Sequence, residues 1–172
     1  MDDAQARWGA QAGEETHMST AEGRRPAQFS LAVRESSLKR LRLVPEGAEN
    51  WRIAPGAMSF GDLAQHPIDA DRWLFRKLDE RGLEPMVGQA GLVDIGERSE
   101  YLGLLEEMER LGQPRTSLLQ GMSEAQFEEP IIDARFGGPT TVWWVIVRGS
   151  FDHEIHHRGA IASCLCLLQS KA

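Results

Sequence analysis

Residues 142–168 read VWWVIVRGSFDHEIHHRGAIASCLCLL and contain the clearest structural pattern of the chain. Residues 140–147 are rich in β-branched and aromatic side chains and alone would suit a strand. Over the wider segment, however, positions 142, 146, 149, 153, 157, 160, 164 and 168 recur at steps of three and four, which is the period of a helix. The segment therefore predicts one long helix of about 40 Å at 1.5 Å per residue.

Two histidines of this helix, His153 and His157, are four residues apart. That spacing puts both imidazoles on one face of a helix, one turn apart. Buried imidazoles need partners for their ring nitrogens, and either a metal ion or hydrogen bonds to neighbouring helices would supply them. His66 is predicted on the apolar face of an earlier helix and would add a third imidazole. Three imidazoles with open positions suit a catalytic zinc ion and equally nickel, iron or manganese.

A second interpretation of the same residues is a zinc peptidase, because residues 153–157 also satisfy the pattern H-E-x-x-H. In that interpretation Glu154 is the general base. Zinc peptidases usually take a third ligand further along the chain. Only 15 residues follow His157, however, and they contain no His, Glu or Asp. The sequence therefore disfavours a peptidase.

The rest of the chain predicts three more long helices and no strand. Residues 1–26 have little apolar content, so they are predicted to form a flexible N-terminal tail, and residues 27–172 the folded domain. The first helix is predicted over residues 27–44. The second begins at Ser59, with Asp62 three residues on as a capping arrangement, and ends near residue 80 or 81.

The connections between the later helices are uneven. A long connection is predicted over residues 82–98, and a third helix from Ser99, with a kink or interruption at residues 112–114. A short helical turn is predicted over residues 123–128, and the Gly-Gly-Pro of residues 137–139 is a break. Four long helices without strands predict an all-α four-helix bundle.

Composition limits the function. The chain has 172 residues, a hydrophobic fraction of 41% and a charged fraction of 26%, as expected for one ordinary soluble domain. Its net charge of −7 and its lack of a basic stripe argue against a nucleic-acid partner. No apolar stretch approaches a membrane span, the N-terminus resembles no secretory signal, and the two cysteines cannot easily pair. We therefore expect a cytoplasmic protein without a membrane partner.

Several motifs together resemble the DinB/YfiT-like superfamily of proposed metal-dependent enzymes, which is unrelated to the polymerase of that name. Residues 153–161 read HEIHHRGAI and are followed by an apolar run, which is similar to the H-x-x-x-H-R-G-Q ending of that family. Residues 51–73 resemble its loop and second helix, where the first histidine ligand lies. The Thr-Val-Trp-Trp of residues 141–144 resembles the start of its last helix.

The resemblance implies an up-down-down-up four-helix bundle in which His66, His153 and His157 bind a divalent metal ion. Zinc and nickel are the metals expected first. It also implies a homodimer and a small-molecule substrate. Some members are S-transferases or isomerases that use low-molecular-weight thiols such as bacillithiol or mycothiol. The resulting hypothesis is a metal-dependent S-transferase or hydrolase. The alternative is a non-catalytic metal-binding stress-response or interaction protein on the same scaffold.

Two positions depart from the family pattern. Ala160 replaces the usual Gln, which removes a polar group one turn from His157. Pro67 directly follows His66, and inside a helix it removes one backbone hydrogen bond and tends to kink the axis. Such a kink would either aim His66 at the metal or spoil its placement.

The other polar candidates near the site have structural interpretations beside the functional ones. Arg158 is predicted to pair with Asp69 or Asp71, or else to anchor an anionic substrate. Alternatively, Asp69 would accept a hydrogen bond from the ring of His66 and so orient it. His156 is predicted on the surface or between helices, and Cys164 as a small buried apolar residue.

Overall fold

The computed structural model describes residues 19–80 and 90–170 of the chain. Most of the described residues are helical, as predicted. The long helices are α1 (Ala21–Leu41), α2 (Phe60–Glu80), α3 (Arg98–Gly121) and a last composite helix formed by α5 (Val142–Ile146), a π-helical segment (Val147–Phe151) and α6 (Asp152–Gln169). Between α3 and α5 lie a short helix, α4 (Glu124–Phe127), and the strands β1 (Pro130–Asp133) and β2 (Gly138–Thr141). No helix among the described residues is long and apolar enough to cross a lipid bilayer.

Helix α1 begins at Ala21, inside the segment that the sequence predicts as a tail; residues 1–18 of that tail lie outside the described residues. Thr20 caps the helix, because its hydroxyl oxygen accepts a hydrogen bond from the main-chain nitrogen of Gly23. The same hydroxyl donates to the main-chain oxygen of Met122 at 2.6 Å. A Cβ at Gly23 would lie 2.2 Å from the main-chain oxygen of Leu119, so only glycine allows this close approach of α1 to the end of α3.

Helix α2 begins as predicted. The Asp62 carboxylate accepts hydrogen bonds from the main-chain nitrogen and hydroxyl of Ser59, whose own hydroxyl accepts from the main-chain nitrogen of Asp62. The carboxylate also accepts from the main-chain nitrogens of Gly91 and Val93. One buried side chain therefore starts α2 and holds the end of the connection that leads to α3. Residues 82–89 of the predicted connection lie outside the described residues.

The predicted kink or interruption at residues 112–114 does not break α3, which is one helix from Arg98 to Gly121 with Pro114 inside it. A Cβ at Gly112 would lie 3.2 Å from Cγ of Arg34. Gly112 therefore makes room for the Arg34 side chain of α1, and it does not mark the end of a helix.

The prediction of no strand is wrong for residues 130–141. Strands β1 and β2 pair antiparallel, with Ile131 opposite Thr140, and Gly137 between them takes the left-handed conformation at φ 70°. The strands have four residues each, and both contain a proline. Such short strands give almost no alternation of apolar and polar residues, so the sequence pattern could not reveal them.

Two apolar clusters lie towards opposite ends of the long helices. The first includes Leu38, Phe60, Leu63, Tyr101, Leu105, Ile161 and Leu165. The second includes Ala27, Leu74, Leu119, Val142, Ile146 and Phe151. On each long helix the positions between these clusters carry buried or half-buried polar side chains. We call this the middle layer, and it holds the candidate site.

Candidate metal centre

Three histidines converge in the middle layer. His66 comes from α2, and His153 and His157 come from consecutive turns of α6. Nε2 of His153 lies 2.8 Å from Nε2 of His66 and 3.1 Å from Nε2 of His157. One nitrogen from each of the three rings lies within 4.8 Å of the other two. We call these residues the histidine cluster.

Burial and mutual repulsion keep the histidine cluster uncharged. Burial lowers the pKa of all three imidazoles. Because the rings also face one another, the pKa of His153 falls to about 4 and that of His157 to about 3. At neutral pH each ring therefore carries a lone pair on one nitrogen, which is the form that binds a metal.

The spacing of the nitrogens fits a divalent ion. Nitrogens bonded to zinc at about 2.0–2.1 Å lie about 3.4 Å apart at tetrahedral angles and about 3.0 Å apart at right angles. The observed separations of 2.8 and 3.1 Å need only small outward movements of the rings. The donor set of three imidazoles suits zinc or nickel and leaves further coordination positions for a small ligand.

Two local features of the backbone lead into the histidine cluster. Pro67 lies inside α2, which continues without a break to Glu80 and still brings His66 within 2.8 Å of His153. The π-helical segment Val147–Phe151 ends two residues before His153. A π-helical turn inserts one residue into a helix and changes the direction of the side chains that follow, and such turns are frequent at functional sites. Sequence periodicity did not predict it.

Glu154 does not serve the histidine cluster as a base. Its side chain is 3% exposed, and both carboxylate oxygens are occupied by arginines. Arg34 donates to Oε1 and Oε2 at 3.0 Å, and Arg115 donates to Oε2 at 2.9 Å. Although burial alone would raise it, these arginines hold the pKa of Glu154 below its usual value. The geometry therefore argues against the peptidase interpretation.

The partners of Glu154 form a second polar group that the sequence analysis missed. Arg34, Asp71, Arg115 and Glu154 come from all four long helices, and we call them the ion-pair cluster. Asp71 accepts at 2.8 Å from each arginine. The remaining donors of the arginines reach Ser30, Ser150 and the main-chain oxygen of Met108.

A sequence signal for the ion-pair cluster exists at Arg115. It lies four residues from both Leu111 and Leu119, which are buried, so helical spacing places it on the buried stripe of α3. Spacing alone does not reveal its partners, which lie 39 and 44 residues away in the chain.

The predicted pairing of Arg158 is wrong. Asp71 is occupied by the ion-pair cluster, and Asp69 accepts a hydrogen bond from Gln65 and lies 3.7 Å from Arg72. Within the described part of the chain, Arg158 has no ion pair. Asp69 makes no hydrogen bond to His66, although its charge raises the pKa of that ring against the larger effect of burial.

The remaining candidates agree with their structural interpretations. His156 is exposed, with its ring centroid 5.1 Å from that of His157 and its nitrogens outside the histidine cluster. Cys164 is a free buried thiol in the first apolar cluster, and burial raises its pKa. Ala160 packs against the same cluster, so the position of the family's usual Gln is apolar here.

A mostly helical domain with three converging, uncharged histidines defines a candidate metalloprotein. A family model described as the DinB superfamily matches residues 31–161, and the chain belongs to this superfamily. All three histidines fall within the matched residues.

The fold is also similar to a solved structure. This is a DinB-like protein, YjoA, from Bacillus subtilis, with a TM-score of 0.61 and 15% sequence identity. The alignment covers 83% of this chain and 90% of that one. At this identity the likeness shows the fold alone. No curated protein matches this chain.

Proposed function

We propose that this protein binds one divalent metal ion, zinc or nickel, through His66, His153 and His157, and that it is a metal-dependent enzyme acting on a small molecule. The observation that carries the proposal is the convergence of three uncharged ring nitrogens within 4.8 Å. Ring nitrogens of one buried and two half-buried histidines that face one another leave hydrogen-bonding capacity unused, which is unfavourable unless another group joins them.

Thiol-dependent S-transfer is the reaction that the surroundings of the histidine cluster favour. A bound divalent ion would act as a Lewis acid that lowers the pKa of a thiol or a water molecule. Hydrolysis usually also needs a base to take a proton from water, and Glu154, which follows His153 in the chain, is held by two arginines. A thiol can lose its proton to solvent; its sulfur then bonds to an electrophilic carbon while the leaving group departs with its electron pair.

The second candidate is a non-catalytic metal-binding protein with a stress-response or interaction role. Two observations favour it: Ala160 replaces the family's polar Gln, and Glu154 is committed to the ion-pair cluster. Turnover separates the two candidates. The enzyme would couple a small thiol to an electrophile such as chlorodinitrobenzene and would lose this activity on chelation, whereas the binding protein would show no turnover above the uncatalysed rate.

The proposal includes two further features that the resemblance implies. These are the up-down-down-up order of the long helices and a homodimer. Light scattering on the purified protein tests the dimer, because a mass of about twice 19.2 kDa is expected. A monomer at the concentrations used for assays would remove this part of the proposal without affecting the metal site.

Metal content tests the proposal directly. Mass spectrometry of the purified protein should find about one divalent ion per chain in the wild type and almost none in the His66→Ala variant. His156→Ala is the matched control, because this exposed histidine neighbours His157 without joining the cluster. Equal metal content in the wild type and His66→Ala, or a wild type that takes up neither zinc nor nickel, would contradict the proposal.

A further inference from the structure

The hairpin brings one arginine close to Gly149, four residues before His153 in the last helix. Arg135 lies in the turn between β1 and β2, and the buried carboxylate of Asp133 holds one side of its guanidinium. Nε of Arg135 donates to both carboxylate oxygens, at 3.0 and 3.2 Å, and Nη2 donates to Oδ2. Asp133 also accepts from the main-chain nitrogen of Arg135, so the side chain and the turn are held together.

Two aromatic rings lie close to the same guanidinium. Its central carbon lies 4.8 Å from the ring centre of Trp73 and 5.5 Å from that of Phe136. Contacts of this kind restrict the orientation of an arginine side chain. Arg135 is therefore fixed in place before any ligand binds.

Gly149 shows how close this arginine comes to the histidines. Gly149 lies four residues before His153 on the last helix. A Cβ at this position would lie 2.6 Å from the Trp73 ring and 3.3 Å from Nη2 of Arg135. The missing side chain thus makes room for the guanidinium against the last helix, four residues before His153. Consistent with this placement, the pKa of His153 is lowered by burial, then by His66, and then by the charge of Arg135.

One edge of the guanidinium remains available. Nη1 of Arg135 makes no hydrogen bond to any residue in the described ranges 19–80 and 90–170, and 30% of the side chain is exposed. Arg158 is next to His157 in sequence, but no hydrogen bond, ion pair or aromatic contact with a described residue orients it. Of these two arginines, Arg135 alone combines a fixed position with an open donor edge.

We propose that Arg135 binds an anionic group, of the carboxylate class, on the small molecule that occupies the metal site. The proposal rests on the proposed function. The substrate or the thiol would then carry a carboxylate a few atoms from its metal-binding group. An arginine fixed on one side by Asp133 offers Nη1 as a charge-assisted donor at little entropic cost.

Two small thiols test this inference on protein loaded with cobalt(II). Mercaptoacetate carries a carboxylate and 2-mercaptoethanol does not, and the visible absorption of cobalt reports the binding of either thiol sulfur. The measured quantity is the ratio of the two dissociation constants. Chelation by mercaptoacetate contributes equally in every variant, so only the change in the ratio between variants is interpreted.

The test variant is Asp133→Asn with Arg135→Met, which removes the ion pair as a unit; buried Lys77, whose charge also acts on Asp133, keeps its hydrogen bond to the main-chain oxygen of Ile132. We expect it to keep cobalt and its affinity for 2-mercaptoethanol while the preference for mercaptoacetate falls about tenfold, as for the loss of one hydrogen bond to a charged group. Arg135→Lys should keep part of the preference. Glu49→Gln with Arg98→Met is the matched control, since it also removes a buried carboxylate together with its arginine, and Arg98 lies 5.0 Å from the ring centre of Tyr101.

The outcomes separate the inference from the proposed function. A wild type that binds no cobalt contradicts both. An unchanged preference in the double variant overturns the role of Arg135 and leaves the metal site standing. Loss of cobalt from the double variant, or loss of the preference in Arg158→Met instead, also overturns it. If the double variant lost cobalt, Arg135 would be a structural residue. If Arg158→Met lost the preference, Arg158 would bind the anion.

Discussion

The histidine cluster and the ion-pair cluster occupy the same middle layer but satisfy their polar atoms in opposite ways. In the ion-pair cluster, two guanidiniums meet two carboxylates, and the spare donors reach hydroxyl and main-chain oxygens. In the histidine cluster, three ring nitrogens point at one another. Charges that are all paired with one another can be retained for the fold alone, whereas ring nitrogens whose lone pairs face one another indicate a binding site for a ligand. The comparison therefore favours a structural role for the ion-pair cluster and supports the proposal that the histidine cluster binds a ligand.

The largest effect is expected from a substitution in the ion-pair cluster. Arg115→Met leaves Asp71 and Glu154 to share one arginine in a buried position, which should reduce the free energy of unfolding by about 3–5 kcal/mol. Chemical denaturation measures the loss. The matched control is Arg110→Met on the same helix, whose exposed ion pair with Glu107 should contribute less than about 1 kcal/mol. Equal effects for the two variants would mean that the cluster is not a structural element.

The second prediction tests zinc binding by the histidine cluster. Zinc at 100 times its dissociation constant should stabilise the wild type by about 2.7 kcal/mol, because it binds the folded protein only. The His157→Ala variant should gain almost nothing, and His156→Ala should gain as much as the wild type. Thermal unfolding with and without zinc measures this. Stabilisation of the His157→Ala variant by the full amount would refute the comparison.

The third prediction concerns two glycines on either side of the histidines in the last helix. Gly149→Ala places a Cβ 2.6 Å from the Trp73 ring, so we expect a loss of about 1–3 kcal/mol from overpacking. Gly159 has open space around its Cβ position and is helical, so Gly159→Ala should stabilise the protein by about 0.5–1 kcal/mol. Denaturation curves of the two variants give both values. A neutral Gly149→Ala variant would argue against the close approach of Trp73 and Arg135.

The last prediction concerns the dependence of stability on pH. In the metal-free protein the pKa values of His153 and His157 lie below their ordinary value of about 6.5. The unfolded chain therefore binds more protons than the folded one, and stability should fall as the pH decreases from about 6.5 towards 4. The pKa of Glu154 is lowered as well, so its contribution is present above about 4.5 and lost below that pH.

Variants assign these two regions of pH to the two clusters. A variant with both His153→Ala and His157→Ala should reduce the slope between pH 6.5 and 4 to the part that His66 causes, and keep the loss below 4.5. Glu154→Gln should keep that slope and reduce the loss below 4.5, on a lower overall stability; Glu49, Asp62 and Asp133, whose pKa values are also lowered, should cause the loss that remains. Urea denaturation across this pH range measures both. A slope that persists unchanged in the double histidine variant would show that other groups cause it.

Local patterns accounted for much of the fold. The capping arrangement of Ser59 and Asp62 and the short turn after Ser123 both appear where the sequence predicts them, because each depends on residues three apart. The last helix follows its stripe of three- and four-residue steps from Val142 onwards. The approach of His153 to His157 follows from the same periodicity, since a helix brings residues four apart together whatever surrounds it.

Features that depend on distant residues were not predictable in this way. The start of α1 at Ala21 depends on the packing of Gly23 against the end of α3. The continuation of α3 through Pro114 and the hairpin at residues 130–141 also run against the local signals of proline and glycine. In each case tertiary packing outweighs a local preference that is only a few kcal/mol or less.

The sequence by itself determined that the protein is mostly helical, that two histidines share one face of the last helix, and that the motifs are those of the DinB superfamily. Spacing along one chain carries that information, because a helix repeats at a fixed period. Only the tertiary structure decided that Glu154 pairs with two arginines and that Arg135 lies between Trp73 and Gly149 of the last helix. These assignments depend on which side chains meet across helices and loops, and no periodicity along the sequence records such contacts.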